Sequence, residues 1–375
     1  MTSHSSSGHS GLTRISKITI KLLVMLIFAF AAYGVAGMGV ILAMYALSFV
    51  ALGRDSEASH GISNRESSRL GGLAIGIIFA VFILVMFLLS PYTPGVVRDP
   101  LHIYLWSAVA ACCLLGLSED IAPDLLSPML RLILKMGVFG LLLWVAPAMV
   151  PKQIGILGID TLLGMPLLGW LLATLFCVGF INAVNMADGA NGLIPGIVLA
   201  TMIMFFLVYG RPAEGVLVFA CAMFLIFNVI SGWYFLGDMG SYGLGAIVAC
   251  YGLLGVAQGD FSAGLMASFV AYPCIDFIYS ILRRLKAGRS PLAADDGHLH
   301  NRLHRFYAPY FRSKVLPNSL TGLSISGATA GLSLLVFLNG WLPVESNLWF
   351  VVFGFEVLMY VLVIRFLTTH QYCNP

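Results

Sequence analysis

Charged residues are scarce in this 375-residue sequence. They make up 10% of the chain, whereas hydrophobic residues make up 59%. Soluble globular chains carry about 25% charged residues. So few charges leave too little polar surface to cover a soluble body, which excludes a soluble globular enzyme. The net charge of +3 is small, and no nucleic-acid partner is expected.

Cysteine patterns for metal binding or disulfide pairing are also lacking. The seven cysteines show no C-x-x-C spacing. Most lie inside apolar runs, as do Cys112, Cys113, Cys177, Cys221 and Cys250. We interpret them as small core hydrophobes. A secretory signal pattern is not expected either, because apolar segments continue to the end of the chain.

Long apolar runs recur along the chain, each near the roughly 20 residues that a helix needs to cross a bilayer. They predict an all-α, polytopic transmembrane helix bundle of about eleven spans. A Ser-, Gly- and His-rich tail at 1–17 is predicted to be disordered, and 18–375 to form a single integral membrane domain. The first run, Leu22 to Gly53, is too long for one perpendicular span and short for two. The predicted spans are 25–52, 72–90, 101–117, 130–150, 162–184, 193–210, 213–231, 241–257, 263–281, 320–338 and 347–367.

The loops between these runs are of two alternating kinds. One kind is short and has few basic or unusual polar residues. The other holds most of the basic residues and nearly all the unusual polar ones, at 54–70, 118–130, 185–192, 232–240 and 282–319. If every run crosses once, the second kind lies on one face, which the positive-inside rule assigns to the cytoplasm. Arg14, Lys17 and Lys21 contradict that scheme if the first run is a single span.

Four carboxylates stand at helix ends on this predicted face: Glu119, Asp120, Asp188 and Asp238. Charge at the end of an apolar helix is costly and is usually kept for function. Any one of them, taken singly, is more often a helix cap or a solvated loop residue. As a set they suggest a site for Mg²⁺, with Mn²⁺ as an alternative, because Mg²⁺ takes a few carboxylate oxygens together with substrate phosphates.

A histidine-rich segment follows in the last long loop, where His298 and His300 lie beside Arg302. Two interpretations stay open from the spacing alone. The segment is either a basic amphipathic stretch on anionic headgroups, or a cluster whose imidazole and guanidinium groups hold a diphosphate.

Five blocks of the sequence, in order, resemble those of the polyprenyl-phosphate N-acetylhexosamine-1-phosphate transferases, a glycosyltransferase family 4 type. The fullest is Asn182 to Leu193, which resembles the family's Asn-x-x-Asn-x-x-Asp-Gly-x-Asp-Gly-Leu block. The others are Arg69 to Ile75, Gly116 to Arg131, Phe235 to Ser241, and His298 to His300. The order and approximate spacing match over 54–305.

The resemblance implies a reaction and a cellular place. A UDP-linked N-acetylated sugar and polyprenyl (undecaprenyl) phosphate give the lipid-diphosphate sugar and UMP, by single or double displacement, in the bacterial inner membrane. The segment before Arg69 lacks the Gly-Thr-Pro-Thr-Met-Gly-Gly stretch of the peptidoglycan branch, so we favour a branch that serves surface polysaccharides. A homodimer is compatible with the resemblance.

The resemblance also assigns roles to residues. It implies that Asp120 and Asp188 are catalytic and that Asp238, Glu119 and Asp120 hold the metal. The expected substrate-binding residues are Asn185, Asn191, Asn228, His298, His300 and Arg302. This sequence departs from the family pattern at Glu119 and Asn191, which stand where Asp is usual, and at Asn301, where a further His is common. Two other hypotheses are a polytopic secondary transporter and an inactive scaffold member of the family.

Overall fold

The structure, a computed structural model, describes residues 7–49, 68–89, 100–123, 125–290 and 295–373. In these residues the chain is helical and forms no strand, apart from an isolated parallel bridge between Ser68 and Tyr234. The predicted all-α class is confirmed. The helices are α1 Ser7–Leu47, α2 Gly71–Leu89, α3 Pro100–Ile121, α4 Pro128–Val145, α5 Leu157–Leu163, α6 Pro166–Ala187, α7 Leu193–Tyr209, α8 Pro212–Ser231, α9 Gly237–Gln258, α10 Ala263–Phe269, α11 Ala271–Lys286, α12 Leu299–Tyr307, α13 Val315–Ser326, α14 Leu332–Leu338 and α15 Trp349–Cys373.

The predicted count of eleven spans is not confirmed. Among the described residues, eight helices are long and apolar enough to cross a membrane, or nine if the bent pair α10 and α11 is one span. Two shorter apolar helices, α2 and α7, lie where the other predicted spans were expected. The first helix begins at Ser7, within the tail predicted to be disordered. Arg54, Arg65 and the loop at 91–99 lie outside the described residues.

The central helix of the bundle is α9, which packs against α2, α3 and α6. Its glycines allow this, because small residues let helix backbones approach closely. A Cβ on Gly243 would lie 2.4 Å from the Cys113 sulfur, and a Cβ on Gly72 of α2 would lie 2.1 Å from the Gly240 nitrogen. This packing brings the first turn of α9, with Asp238, to the same end of the bundle as the start of α2 and the end of α3. We call that end the site face.

The bend between α10 and α11 measures 78° and falls at Val270. Pro273 accounts for it, because proline has no N–H to donate to the carbonyl four residues earlier, at Phe269. The helix α11 therefore starts in a new direction. It then runs to the site face, where it ends in a basic turn at Lys286.

The first helix is broken in its middle and folds back on itself. Tyr33 and Gly34 leave the helical conformation, and Gly34 has φ +61, which glycine adopts without strain. Beyond the break, a Cβ on Gly37 would lie 2.5 Å from the Ala29 carbonyl oxygen. Residues eight apart in a straight helix are separated by about 12 Å along the axis. The two halves of α1 thus form a tight helical hairpin.

Both arms of this hairpin pass the site face. Lys21 in the first arm donates to the Ser231 carbonyl at the end of α8 (3.0 Å), and Tyr45 in the second arm contacts the Trp233 ring (5.5 Å between centroids). The tip residue Tyr33 contacts Phe219, twelve residues back along α8. That is about 18 Å from the site face, short of the roughly 30 Å of a bilayer core. The folded-back hairpin therefore reaches a shorter distance than a bilayer core, although Ile18–Leu47 is among the eight helices counted above by length and composition.

Candidate active site

A carboxylate from α3 caps the helix that carries Asp238. The two Asp120 oxygens accept the backbone N–H groups of Asp238 (2.9 Å) and Met239 (2.8 Å), the first free donors of α9. Asp120 is 2% exposed. A buried carboxylate at a helix N-terminus satisfies these donors and interacts favourably with the helix dipole. Asp120 therefore fixes where Asp238 stands.

The turn before Asp238 has no room for a side chain. Gly237 has φ +72, a left-handed conformation that favours glycine. A Cβ there would lie 2.0 Å from the Arg69 carbonyl oxygen and 2.8 Å from an Asp120 oxygen. The Gly-Asp pair of the sequence block is thus needed for close approach of the chain segments at residues 69, 120 and 237.

Asparagine 185 joins α6 to the Asp238 turn. Its amide nitrogen donates to Asp238 Oδ1 (2.6 Å) and to the Ser241 hydroxyl (2.9 Å). Because Asn185 is three residues before Asp188, this contact brings the end of α6 against the start of α9. The prediction that the loops at 185–192 and 232–240 meet on one face agrees with this arrangement.

The second acid of the site is Asp188, which immediately follows α6. Burial raises the pKa of its carboxyl to about 8, and the nearby charges of Asp238 and Asp120 raise it further. Asp188 therefore holds a proton near neutral pH unless a cation approaches. A carboxyl with this pKa can exchange a proton with a phosphate group.

A buried lysine that the sequence had shown only as one of several basic residues lies beside these acids. Lys135 on α4 is 1% exposed, donates to the Asn182 side-chain oxygen (2.5 Å) and sits 4.2 Å from the centroid of the Tyr242 ring. The sequence could have identified Lys135 as a functional candidate, because it lies within the apolar run 132–145 and a charge inside an apolar helix is a functional-site hypothesis by default.

Glu119, predicted to hold metal, has other partners. Its carboxylate forms an ion pair with Arg131 (3.0 Å) and accepts the Leu126 N–H (3.1 Å). No group of three or more acid, histidine or cysteine side chains in the described residues is arranged to hold a metal ion. Asp238 and Asp188 remain as hard oxygen donors. Such a pair fits Mg²⁺ that arrives with substrate phosphates, because Mg²⁺ is usually held by one or two carboxylates plus those phosphates.

Asn191 and Asn228, predicted to bind substrate, are both 3% exposed and bond within the protein. Asn228 accepts the Gly192 N–H (2.7 Å) and donates to the Tyr234 carbonyl (2.7 Å), while the Asn191 N–H donates to the Asn318 side chain (2.7 Å). The two amide side chains also meet each other (3.3 Å). They tie the ends of α7, α8 and α13 together beneath the Asp188 loop.

The histidine loop reaches the acidic loop from α12. A Cβ on Gly189 would lie 2.3 Å from His300 Nε2, so the imidazole rests on the backbone next to Asp188. Burial lowers the pKa of His300 to about 4, and its ring is neutral at pH 7. Both His298 and His300 are buried, which does not fit a segment lying on headgroups. Arg302 donates to the Gly297 carbonyl (3.1 Å) and to Thr368 of α15 (2.8 Å).

Fold and site together define a polytopic membrane protein with a buried acid, lysine and histidine cluster at the ends of its helices. Residues 102–256 match the family model of glycosyl transferase family 4. The resemblance to the polyprenyl-phosphate N-acetylhexosamine-1-phosphate transferases is confirmed. The matched segment contains Glu119, Asp120, Asp188 and Asp238, while the histidine loop lies beyond it.

Several curated proteins are similar to this chain. A phospho-N-acetylmuramoyl-pentapeptide-transferase of Synechococcus is 39% identical over 35% of this chain and 39% of its own length. An undecaprenyl-phosphate alpha-N-acetylglucosaminyl 1-phosphate transferase of Thermotoga maritima is 32% identical over 33% and 39%. A probable undecaprenyl-phosphate N-acetylglucosaminyl 1-phosphate transferase of Bacillus subtilis is 30% identical over 45% and 52%. The chain thus spans about two fifths to one half of the length of these relatives.

Proposed function

We propose that this protein is a phosphoglycosyl transferase of a bacterial inner membrane. It transfers an N-acetylated sugar 1-phosphate from a UDP-sugar to polyprenyl phosphate and releases UMP. The observation that carries the proposal is the meeting of Asp188 and Asp238 at the site face, with Lys135 on one side and His300 on the other. The names of the similar proteins support the polyprenyl phosphate acceptor.

The geometry suits a reaction between two anions. A phosphate oxygen of the lipid attacks the phosphorus that bears the sugar, and the bond from that phosphorus to UMP breaks. Positive charge must offset the repulsion between the two substrates. The buried ammonium of Lys135 contributes one such charge from within the protein. Mg²⁺, with Mn²⁺ as the alternative, supplies further positive charge when bound.

The carboxylates take different roles in this proposal. Asp238 would hold the metal ion, together with Asp188 or substrate oxygens. Asp188 positions the lipid phosphate, and once an approaching cation has displaced its own proton it would accept the proton of that phosphate. Asp120 acts through Asp238, because its own oxygens cap α9. Glu119 supports the loop after α3 through Arg131. This revises the roles that the sequence implied for Glu119 and Asp120.

The donor is proposed as a UDP-linked N-acetylated sugar of surface polysaccharide synthesis. The similar proteins include one named for a phospho-N-acetylmuramoyl-pentapeptide and others named for N-acetylglucosaminyl 1-phosphate. The segment before Arg69, which lacks the peptidoglycan-branch stretch, favours the second kind.

Radiolabel transfer from a panel of UDP-sugars to extractable polyprenyl lipid tests the proposal. The wild type should form labelled lipid with at least one donor, and Asp238→Asn should abolish it while staying folded in the membrane. Asp260→Asn is the matched control, because Asp260 lies past the opposite end of α9, bound to the Tyr209 hydroxyl (3.0 Å). Near-normal turnover by folded Asp238→Asn would remove this residue from the site. Absence of lipid product from the wild type with every donor would favour a scaffold or transporter.

A further inference from the structure

One face of α11 carries a polar stripe that holds the histidine loop. Tyr272, Asp276 and Ser280 recur every fourth residue, so they line one side of the helix. All three are buried. Polar side chains buried at this spacing on an apolar helix need partners, and their partners are the two histidines before and within α12.

Each histidine is held by its Nδ1 atom. His298 Nδ1 lies 2.5 Å from an Asp276 oxygen, and His300 Nδ1 lies 2.8 Å from the Tyr272 hydroxyl. The two imidazole rings are stacked, with centroids 5.3 Å apart and planes 13° from parallel. Because Nδ1 faces α11 in both rings, Nε2 is turned away from it. For His300 that direction leads to Gly189, beside Asp188.

Asp276 has a full set of partners. Besides His298, it accepts the Leu299 N–H (3.1 Å) and the Tyr360 hydroxyl of α15 (2.8 Å), and it is 1% exposed. A carboxylate buried this deeply is stable only when it is paired and hydrogen-bonded. It accepts the proton on Nδ1, which selects the tautomer and orientation of the His298 ring.

We propose that Asp276 and Tyr272 are positioning residues that hold His298 and His300 with Nε2 directed at the diphosphate of the donor. This rests on the proposed transferase function. Asp276 acts through His298 and Tyr272 acts through His300, and neither touches the substrate. Residues that orient a ligating or catalytic histidine typically contribute about 10- to 100-fold to affinity or activity.

The test is a double-mutant cycle of Asp276→Asn, His298→Ala and the combined variant. Asp276→Asn alone should lower kcat/KM by about 10- to 100-fold. Once His298 is gone, Asp276→Asn should have no further effect on kcat/KM. Losses that multiply in the combined variant would overturn the proposal, because they would show that Asp276 acts independently of His298. Ser268→Ala is the control for loss of a buried polar group, because the Ser268 hydroxyl donates to the Leu265 carbonyl within α10 (2.8 Å).

Two additions keep the test decisive. The same proteins are titrated with inorganic pyrophosphate by calorimetry, where the same non-additivity is expected without turnover. Lack of pyrophosphate binding by the wild type would overturn the proposal, whereas lack of turnover alone would count against the transferase function. If Asp276→Asn does not fold, an equivalent cycle combines Tyr272→Phe with His300→Ala. Tyr272→Phe removes only the hydroxyl that contacts His300 and keeps the aromatic ring. Multiplying losses in that cycle would also refute the proposal.

Discussion

Replacing Asp120 by asparagine should loosen the start of α9. An amide can accept only one of the two N–H groups that the carboxylate now accepts. A hydrogen bond to a charged group contributes about 1.5–3 kcal/mol, and the lost negative charge at the helix N-terminus about 0.3–1 kcal/mol more. We therefore expect Asp120→Asn to lower the free energy of unfolding by about 2–4 kcal/mol.

The matched control is Glu119→Gln, one residue earlier. Glu119 is 3% exposed, but its partner Arg131 is 23% exposed and can be solvated, and the amide oxygen of the introduced glutamine can still accept the Leu126 N–H, so the cost should be smaller, about 1 kcal/mol. Thermal unfolding in detergent, followed by tryptophan fluorescence, compares the two variants. Equal melting temperatures for Asp120→Asn, Glu119→Gln and the wild type would refute the assignment of Asp120 as the cap of α9.

Activity should follow the same asymmetry. Asp120→Glu pushes the carboxylate into the turn that carries Asp238, and a misplacement of about 1 Å can cost on the order of 10²-fold in rate. Glu119→Asp restores the residue usual in the family and disturbs only contacts with Arg131 and Leu126, so most activity should remain. Transfer of labelled sugar phosphate measures both. Equal losses would show that Glu119 also acts at close range.

Three further predictions concern the acidic turn, its titration and the hairpin. Gly189→Ala should strongly reduce transfer, because a Cβ 2.3 Å from His300 Nε2 must displace that ring. Asp188 has a folded-state pKa of about 8, above the value of about 3.9 in an unfolded chain. Its contribution to stability is therefore lost as pH rises from about 4 to about 8, and Asp188→Asn should lose less stability over that range in metal-free buffer. Cysteines at Ser16 and Val35 should not react with an impermeant maleimide outside intact cells, because the hairpin folds back after about 18 Å, less than the thickness of a bilayer core.

Each of these has its own control and contrary outcome. Gly137→Ala meets no atom within 4 Å and should keep full activity. Equal activity in the two alanine variants would contradict the His300 contact. A melting-temperature difference between Asp188→Asn and the wild type that stays constant from pH 5 to pH 9 would contradict the raised pKa. Labelling of a cysteine at Ser16 would indicate that the first run crosses the membrane once. Labelling of a cysteine at Val35 would indicate two full crossings. Gln153→Cys is the control that should be labelled from outside.

Much of the membrane architecture could be predicted because it depends on local properties. Runs of apolar residues near bilayer length define helices wherever they fold, and α3, α6, α8, α9 and α15 lie close to their predicted spans. The first run could not be interpreted the same way. Its fold-back depends on Gly34 and on the contact of Gly37 with Ala29, and hydropathy does not register either feature.

The sequence by itself determined the membrane class of this protein, the order of the blocks that resemble those of the family, and the acids at its helix ends. Only the tertiary structure decided what those acids do, because the role of a carboxylate depends on the atoms it meets. Asp120 meets backbone donors more than a hundred residues away, Glu119 meets Arg131, and Asp188 meets other acids. Asp276 drew no notice in the sequence for the same reason. Its histidine lies 22 residues further along the chain, and only the packing of α11 against the loop brings the pair together.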